Sequence, residues 1–543
     1  MLLLIDVVVE TVLSKIRERL NEGCRKSNDG HSKQTMGKTQ ANGAVGGQLE
    51  DESDIEQKYA KFFQINTDGL VKRNDGWRTR SDMINRDKEL TQLIYAEDAT
   101  MVRCQPLGSR NKHNGFRLPK YDVPKAVINA LYEDKKPETA YPYISKPLDP
   151  QIYDHKFHYL LYFEEAAMYL SMRNFDLDRR RLNKCGDFMS LEIPREVLTR
   201  SALIKGNRVL LTHPTKRPIV SFEGFIHKIE QNYILMRFHE KFHEMYDGTE
   251  YNVSFHFGRT NFRQCHYAID QVFSHACYEL LFPSEKRNLS SKEKYLWKGN
   301  AKKMKYFNID LNRTQKNAVI GVLRSSQRPS PYIIVGPPAT GKTTTVVESI
   351  LQIVVKLRKS RILVCTNSNI LADEIALKLL ESRIIYEDKL TRLVSVNYAR
   401  NVNENLKSVS VIFTDDPHDN DWFYRKVIVT TCNNAGNLYC MLKNSMHFTH
   451  CIIDDSTKTS EPEALVAIGL VAAACGVVVL TGDPSQIRPN CESPISRYNG
   501  LSDPLMLRLM QYTPYLTSEK FKKFGGYNPY YITKLDVAYD GEK

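Results

Sequence analysis

The chain has 543 residues, a formal net charge of +13, 42% hydrophobic and 26% charged residues. That length provides for three or four domains with real cores, and the positive balance favours an anionic partner, nucleic acid first. Eleven cysteines without a Cys-x-x-Cys pair argue against zinc-knuckle spacing and read as reduced intracellular thiols, and no apolar run reaches the roughly 18 residues of a transmembrane segment.

At the start of the chain Ile5, Val9, Val12, Ile16 and Leu20 form one stripe, which predicts an amphipathic helix over 1–23. Asp6 and Glu10, with no basic segment before them, argue against a secretory or mitochondrial leader, so the expected location is cytoplasmic. Residues 24–58, rich in Gly, Ser, Asn, Gln and charge without apolar periodicity, read as a disordered linker. Residues 59–150 carry a mixed signal that assigns no fold or function.

A helical pattern follows over 155–172, with Leu160, Phe163, Ala167 and Leu170 on one face. The period then changes to two. Leu191/Ile193, Val209/Leu211, Ile234/Met236/Phe238 and Tyr251/Val253/Phe255/Phe257 alternate with polar neighbours, and Pro214, Gly224 and Asp247-Gly248 read as turns. Roughly five or six short strands of this kind predict a small antiparallel barrel over 175–260, with a helical return near 264–281. Stalk helices and barrel together make a domain over 151–306. Its last part, 284–305, holds eight Lys/Arg against two Glu, interleaved with Tyr295 and Trp297. Cations take phosphate and aromatics stack on bases, which suits single-stranded nucleic acid; a solvated charged linker is the alternative.

From residue 307 to 535 apolar strands at 332–335, 361–365, 391–396, 427–431, 451–454 and 476–481 alternate with helical stretches, predicting an α/β, doubly wound parallel sheet. The first strand, Tyr332–Val335, runs into Gly-Pro-Pro-Ala-Thr-Gly-Lys-Thr and then a helical pattern. Strand, glycine-bounded loop and helix is the setting of a P-loop, in which backbone N–H groups and the helix N-terminus receive phosphates. Lys342 is placed to reach the β- and γ-phosphates of a triphosphate, and Thr343 to bind Mg²⁺. The nucleotide-binding set is Gln315, Gly336, Pro337, Pro338, Ala339, Thr340, Gly341, Lys342, Thr343 and Thr344. Gln315 lies one helix ahead of the loop, and its amide can accept from and donate to an adenine edge. Cys451-Ile-Ile-Asp454-Asp455 is an apolar strand ending in carboxylates, the expected Mg²⁺-holding strand. Leu480-Thr-Gly-Asp483-Pro-Ser-Gln486 ends another strand in a polar group able to sense the γ-phosphate.

The series Leu311-Asn-x-x-Gln315, Gly336 to Thr343, Val364 to Asp373, Val429-Thr-Thr431, Asp454-Asp455 with Glu461-Pro-Glu463, and Gly482-Asp-Pro-x-Gln486-Ile-x-Pro489 resembles superfamily 1 helicases of the Upf-like group. Phe448 to Asp454 and Glu461 to Ile468 resemble the Armitage-type RNA helicases, the family that includes the Moloney-virus-resistance helicase. Asn174-Phe-Asp-Leu, Gly224-Phe-Ile-His-Lys-Ile and Asn252-Val-Ser-Phe-His-Phe extend the likeness into the barrel. The resemblance implies a RecA-like first helicase lobe over 307–535 and a barrel that clamps single-stranded RNA. It also implies an ATP- and Mg²⁺-dependent 5′ to 3′ RNA helicase of RNA silencing and turnover, with RNA-silencing proteins as partners and ribonucleoprotein granules as a location. By position, Lys342, Thr343, Asp454, Asp455 and Gln486 would be catalytic, with Thr343 and Asp454 holding the metal. Ser368, Asn369, Thr430 and Thr431 would face the RNA backbone.

Three departures accompany the resemblance. Ala339 stands at a usual glycine, at a cost of order 1 kcal/mol if that position needs positive φ. Asp455 replaces the family's general-base glutamate and is one methylene shorter, with Ser456 and Lys458 also divergent; slow hydrolysis is expected. The family continues into a second lobe, for which this sequence has no room after Gln486, and 536–543 reads as a divergent tail with Asp540 where the bridging arginine is expected. Two readings follow: an ATP-dependent RNA helicase, or a non-enzymatic, single-stranded-RNA-binding protein that uses nucleotide only to set its shape.

Overall fold

The computed structural model describes residues 100–104, 118–132, 136–193, 203–215, 220–274, 278–284, 299–395, 398–413, 421–441, 448–472 and 476–539. The helix expected over 1–23, the linker over 24–58 and the 285–298 part of the basic stretch, with Tyr295 and Trp297, lie outside them. Among the described residues no helix is long and apolar enough to cross a membrane.

The barrel region begins with β1 (Thr100–Arg103), α1 (Lys125–Tyr132) and the long stalk helix α2 (Tyr153–Arg173). Strands β2 (Leu177–Arg180), β3 (Asn183–Cys185), β4 (Phe188–Glu192), β5 (Arg208–Thr212), β6 (Val220–Ile229) and β7 (Tyr233–Phe238) follow. Helix α3 (Glu240–Met245), β8 (Tyr251–His256) and the returning helix α4 (Thr260–Ser274) complete it. The sheet runs β2-β8-β5-β6-β7-β4-β3, antiparallel, with β1 parallel to β6. It curls over a core of Met189, Leu191, Val209, Leu211, Phe222, Ile226, Met236 and Phe255, and its end strands do not meet. The expected barrel is therefore an open half-barrel with more strands than the alternation revealed. Gly224 accounts for one error. It is not a turn but lies within β6, paired with Phe238, where a Cβ would come 2.4 Å from the Phe238 ring and 2.5 Å from the Arg237 carbonyl oxygen. Close packing of strand on strand, not a change of direction, requires glycine there.

The second sheet runs β12-β11-β13-β10-β14-β15-β9-β16 and is parallel throughout. Its members are β9 (Tyr332–Val335), β10 (Ile362–Thr366), β11 (Leu390–Val394), β12 (Ser410–Ile412), β13 (Val427–Thr431), β14 (His450–Asp454), β15 (Val477–Gly482) and β16 (Ile532–Lys534). β12 and β16 are too short to stand out as apolar runs. Strand alternation divides the sheet's side chains between two cores. Tyr332, Ile334, Ile362, Val364 and Ile452 pack beneath α5 (Arg313–Arg324), α6 (Lys342–Lys356) and α7 (Asn369–Glu381). Ile333, Leu363, Cys365, Cys451 and Ile453 face α8 (Glu461–Ala472). Both faces are covered, so the strands read as continuous apolar runs. Helix α8 is itself apolar all round because α4 packs on its far side. The fold is thus a RecA-like parallel sheet with an antiparallel half-barrel on a helical stalk N-terminal to it.

Candidate nucleotide site

Three strands that are separate in sequence lie side by side: β14, β15 and β9. Their carboxyl ends bring Asp454, Gly482-Asp483 and Gly336 to one edge, the usual ligand edge of an open α/β sheet. The P-loop leaves β9 at Gly336 and enters α6 at Lys342. Ala339 and Gly341 both take positive φ, 60° and 79°. Ala339 therefore does sit where glycine is unstrained, and Gly341 has a second constraint, since a Cβ there would lie 2.4 Å from Gln315 Nε2.

The Thr343 hydroxyl donates to Asp454 Oδ2 at 2.8 Å, so the two expected metal ligands face each other across the end of the sheet. Asp454 is 1% exposed. Its other oxygen accepts from the Thr481 hydroxyl and, at 3.2 Å, from the Asp455 N–H. Burial raises the Asp454 carboxyl above its ordinary range, and these donors hold it back. Lys342 Nζ folds over its own loop, donating to the carbonyls of Gly336 (2.8 Å) and Pro337 (3.0 Å). Burial lowers its pKa, against the pull of Asp483, Asp454 and Asp455. An anion at the loop would offer this ammonium a better partner than two neutral carbonyls.

Asp455 adopts φ 56°, and its Oδ2 accepts an ion pair from Lys458 at 2.8 Å. Asp455 Oδ1, Asp483 Oδ2 and Gln486 Oε1 are buried acceptors without a hydrogen-bond partner. Oxygen acceptors left over beside a Thr–Asp pair are chemically able to hold a hydrated divalent cation.

Gln315 is 2% exposed and occupied within the protein. Its Oε1 accepts from Asn312 N–H (2.9 Å) and its Nε2 donates to Thr340 O (3.1 Å), while Asn312 caps α5, so Asn312-x-x-Gln315 is a capping box joined to the P-loop. Tyr539, not singled out from sequence, belongs to the same corner. Its N–H donates to Ala339 O at 2.9 Å, and its hydroxyl meets Asn312 Nδ2 at 3.1 Å and Gln315 Oε1 at 3.4 Å. The expected tail thus meets the loop through Tyr539 and the start of α5 through Asp536, whose carboxylate accepts from the Thr314 hydroxyl at 3.2 Å. No local pattern marks Tyr539, because its side-chain partners Asn312 and Gln315 are more than 200 residues away along the chain.

The positions expected to face RNA divide. Ser368 and Thr431 cap α7 and the turn Cys432–Ala435, and Asn369 accepts from Arg392 at 3.0 Å. Thr430 is a correction. It is fully buried, with its hydroxyl on the Leu393 carbonyl at 2.9 Å, because one residue along a strand reverses the direction of the side chain. Lys302 and Lys303 of the basic stretch are exposed on a short 3-10 turn.

The family description "AAA domain" matches residues 310–420 and 423–494, and "Helicase MOV-10, beta-barrel domain" matches 170–255. The fruit-fly protein described as "Probable RNA helicase armi" is 30% identical over 496 residues, covering 84% of this chain and 42% of that one. Human "RNA helicase Mov10l1" is 28% identical over 512 residues, covering 83% and 42%, and the mouse protein of that name is 26% identical over 576 residues, covering 84% and 48%. The chain therefore spans less than half the length of these relatives. With matches to the AAA domain and to the Mov10-type barrel in one chain, the protein belongs to the helicase/ATPase superfamily and is homologous to the Armitage, Mov10 and Mov10l1 RNA helicases.

Proposed function

We propose that this chain is the ATP-binding and single-stranded-RNA-binding portion of an ATP-dependent 5′ to 3′ RNA helicase of RNA silencing and turnover, with a weakened hydrolytic step. The observation that carries the nucleotide reading is the Thr343–Asp454 contact of 2.8 Å beside the P-loop. Thr343 and Asp454 hold Mg²⁺, which when bound neutralises charge on the β- and γ-phosphates. Lys342 exchanges its loop carbonyls for phosphate, Gln486 faces the γ-phosphate, and Gln315 with Tyr539 borders the base. RNA binding, silencing partners and a place in cytoplasmic ribonucleoprotein granules come from the homology.

A specific observation favours the non-enzymatic reading for the chain by itself. Asp455, the residue in line to orient the attacking water, is short and is engaged by Lys458. The oxygen held by Lys458, Oδ2, is not free to orient a water, which leaves Oδ1 alone for that task. Phosphate release from purified 1–543 with saturating single-stranded RNA tests this. Turnover at background, with ATP binding retained, is expected. Robust RNA-stimulated turnover that disappears in Lys342→Ala would instead establish the enzymatic reading.

A further inference from the structure

The amino edge of the parallel sheet, the end away from the nucleotide site, carries a feature that neither the core nor that site uses. Three adjacent strands, β11, β13 and β10, each begin one residue after a cation: Lys389 before Leu390, Lys426 before Val427 and Arg361 before Ile362. The register aligns these strand starts, and Val427 N–H donates to Lys389 O at 3.0 Å and Ile362 N–H to Lys426 O at 2.9 Å. Lys389, Lys426 and Arg361 therefore stand in one row across the sheet, with backbones about 4.8 Å apart from strand to strand. Lys426 Nζ donates to the Arg358 carbonyl, which brings Arg358 and Lys359 to the same edge, and Arg425 Nη1 donates to Leu390 O at 2.7 Å.

Little balances these six cations. Glu387 and Asp388 lie on the turn that closes from Tyr386 to Lys389, and Asp421 opens the turn Asp421–Tyr424, yet among the described residues none of the six forms an ion pair. Lys426, Arg425 and Arg361 direct donors at neutral backbone carbonyls instead, Arg361 Nη2 at that of Phe423 at 2.5 Å. The Arg361 guanidinium also lies 4.8 Å from the ring centroids of both Phe423 and Phe448, which holds it at the edge. Burial first, and then the field of Lys389, lower the Lys426 pKa, as crowding of like charges does. Two aromatics border the row, Tyr386 at 60% and Tyr424 at 59% exposure. Carboxylates would suit the cations better than carbonyls, and exposed tyrosine beside arginine is the composition of protein interfaces.

We propose that this amino edge is a docking surface for an acidic segment of a partner protein, whose carboxylates meet the cation row and whose apolar side chains pack on Tyr386 and Tyr424. Charge complementarity commits the surface to a polyanion. Nucleic acid fits it less well, because the positions aligned with RNA contact lie at the carboxyl ends of the same strands, five residues and about 16 Å away. A partner held here leaves the nucleotide edge open, so docking and nucleotide binding can occur together. The inference goes beyond the function proposed above and does not depend on it. Asp415, Asp416 and Asp419, just ahead of the Asp421–Tyr424 turn in sequence, are the rival occupant, and the test separates the two.

The test is fluorescence anisotropy of a labelled Glu-Asp-Glu-Phe-Glu-Asp-Glu peptide titrated with the full chain. Arg358→Gln with Lys359→Gln and Lys389→Gln, at exposed or half-buried positions, should weaken binding roughly tenfold. Lys302→Gln with Lys303→Gln, exposed cations elsewhere on the chain, should leave it unchanged. Tyr386→Ser with Tyr424→Ser should weaken it about threefold without altering its salt dependence. Thermal melting checks that each variant folds, and the charge variant keeps the test decisive should the tyrosine pair unfold the lobe. Equal affinity in parent and charge variant, or an equal loss in the Lys302 and Lys303 variant, overturns the docking surface. A parent that does not bind the peptide also overturns it, and binding gained by Asp415→Asn with Asp416→Asn and Asp419→Asn then assigns the row to the chain's own aspartates. A labelled oligouridine that loses roughly tenfold in affinity in the same charge variant would make the edge an RNA surface and overturn the protein partner.

Discussion

The parallel sheet and the half-barrel place function differently, and the contrast explains why one is easy to read. In the parallel sheet both faces are buried, so chemistry is confined to the strand ends, and Gly336, Asp454 and Asp483 each follow an apolar run. Such a site is written as short motifs with fixed neighbours. In the half-barrel one face is core and the other is available, so outward residues alternate with packing residues across strands distant in sequence. Phe188 of β4 and His227 of β6 stack with ring centroids 4.4 Å apart yet form no motif, and only the fold of the sheet brings them together.

The contrast can be sharpened by perturbations that act on one region or the other. The largest expected effect on stability comes from acid. His266 of α4 and His450 of β14 are fully buried, and burial pushes each down to about 3. Their folded values lie below the unfolded value near 6.5, so the stability they contribute is complete above that pH and is lost as pH falls toward 3. Between pH 6.5 and 5 each should cost about 2 kcal/mol. Asp454 works in the opposite sense, because its raised pKa favours the protonated folded state as pH falls. Urea denaturation at pH 7 and pH 5 should therefore show a net loss at pH 5, and His450→Gln should remove part of the difference.

Next in size is Gly224→Ala. A Cβ there meets the Phe238 ring and the Arg237 carbonyl, so destabilisation of about 2 kcal/mol is expected by denaturant titration. Because the strain falls in β6 and the neighbouring β7, RNA affinity should drop while ATP affinity stays at the parental value. Loss of both would join two regions that the account separates. The smallest effect is that of Ala339→Gly. Relief of a residue at φ 60° is nearly offset by the greater freedom of glycine in the unfolded chain, leaving a net change under about 1 kcal/mol in thermal melting.

Legibility followed the same division. The parallel sheet, the P-loop and the placing of Asp454 opposite Thr343 could be read because strand, loop and helix periods change at glycines and carboxylates. Thr430 was misplaced because a motif names neighbours but not the faces they occupy. Gly224 was misread because a glycine required by close packing looks like a glycine required by a turn. The tie that Gln315 makes from α5 to the P-loop went unread beside the contact with adenine expected of it. Tyr539 reaches Ala339 only through folding, as β16 lays the chain beside β9.

Calorimetric titration of Mg·ATP into purified 1–543 and its Lys342→Ala variant tests the central claim, that the edge built by β14, β15 and β9 is a working nucleotide site. The account predicts one saturable site in the parent, dependent on Mg²⁺, and no detectable binding in the variant. A parent that binds no nucleotide, or a variant that binds it equally well, would contradict the claim.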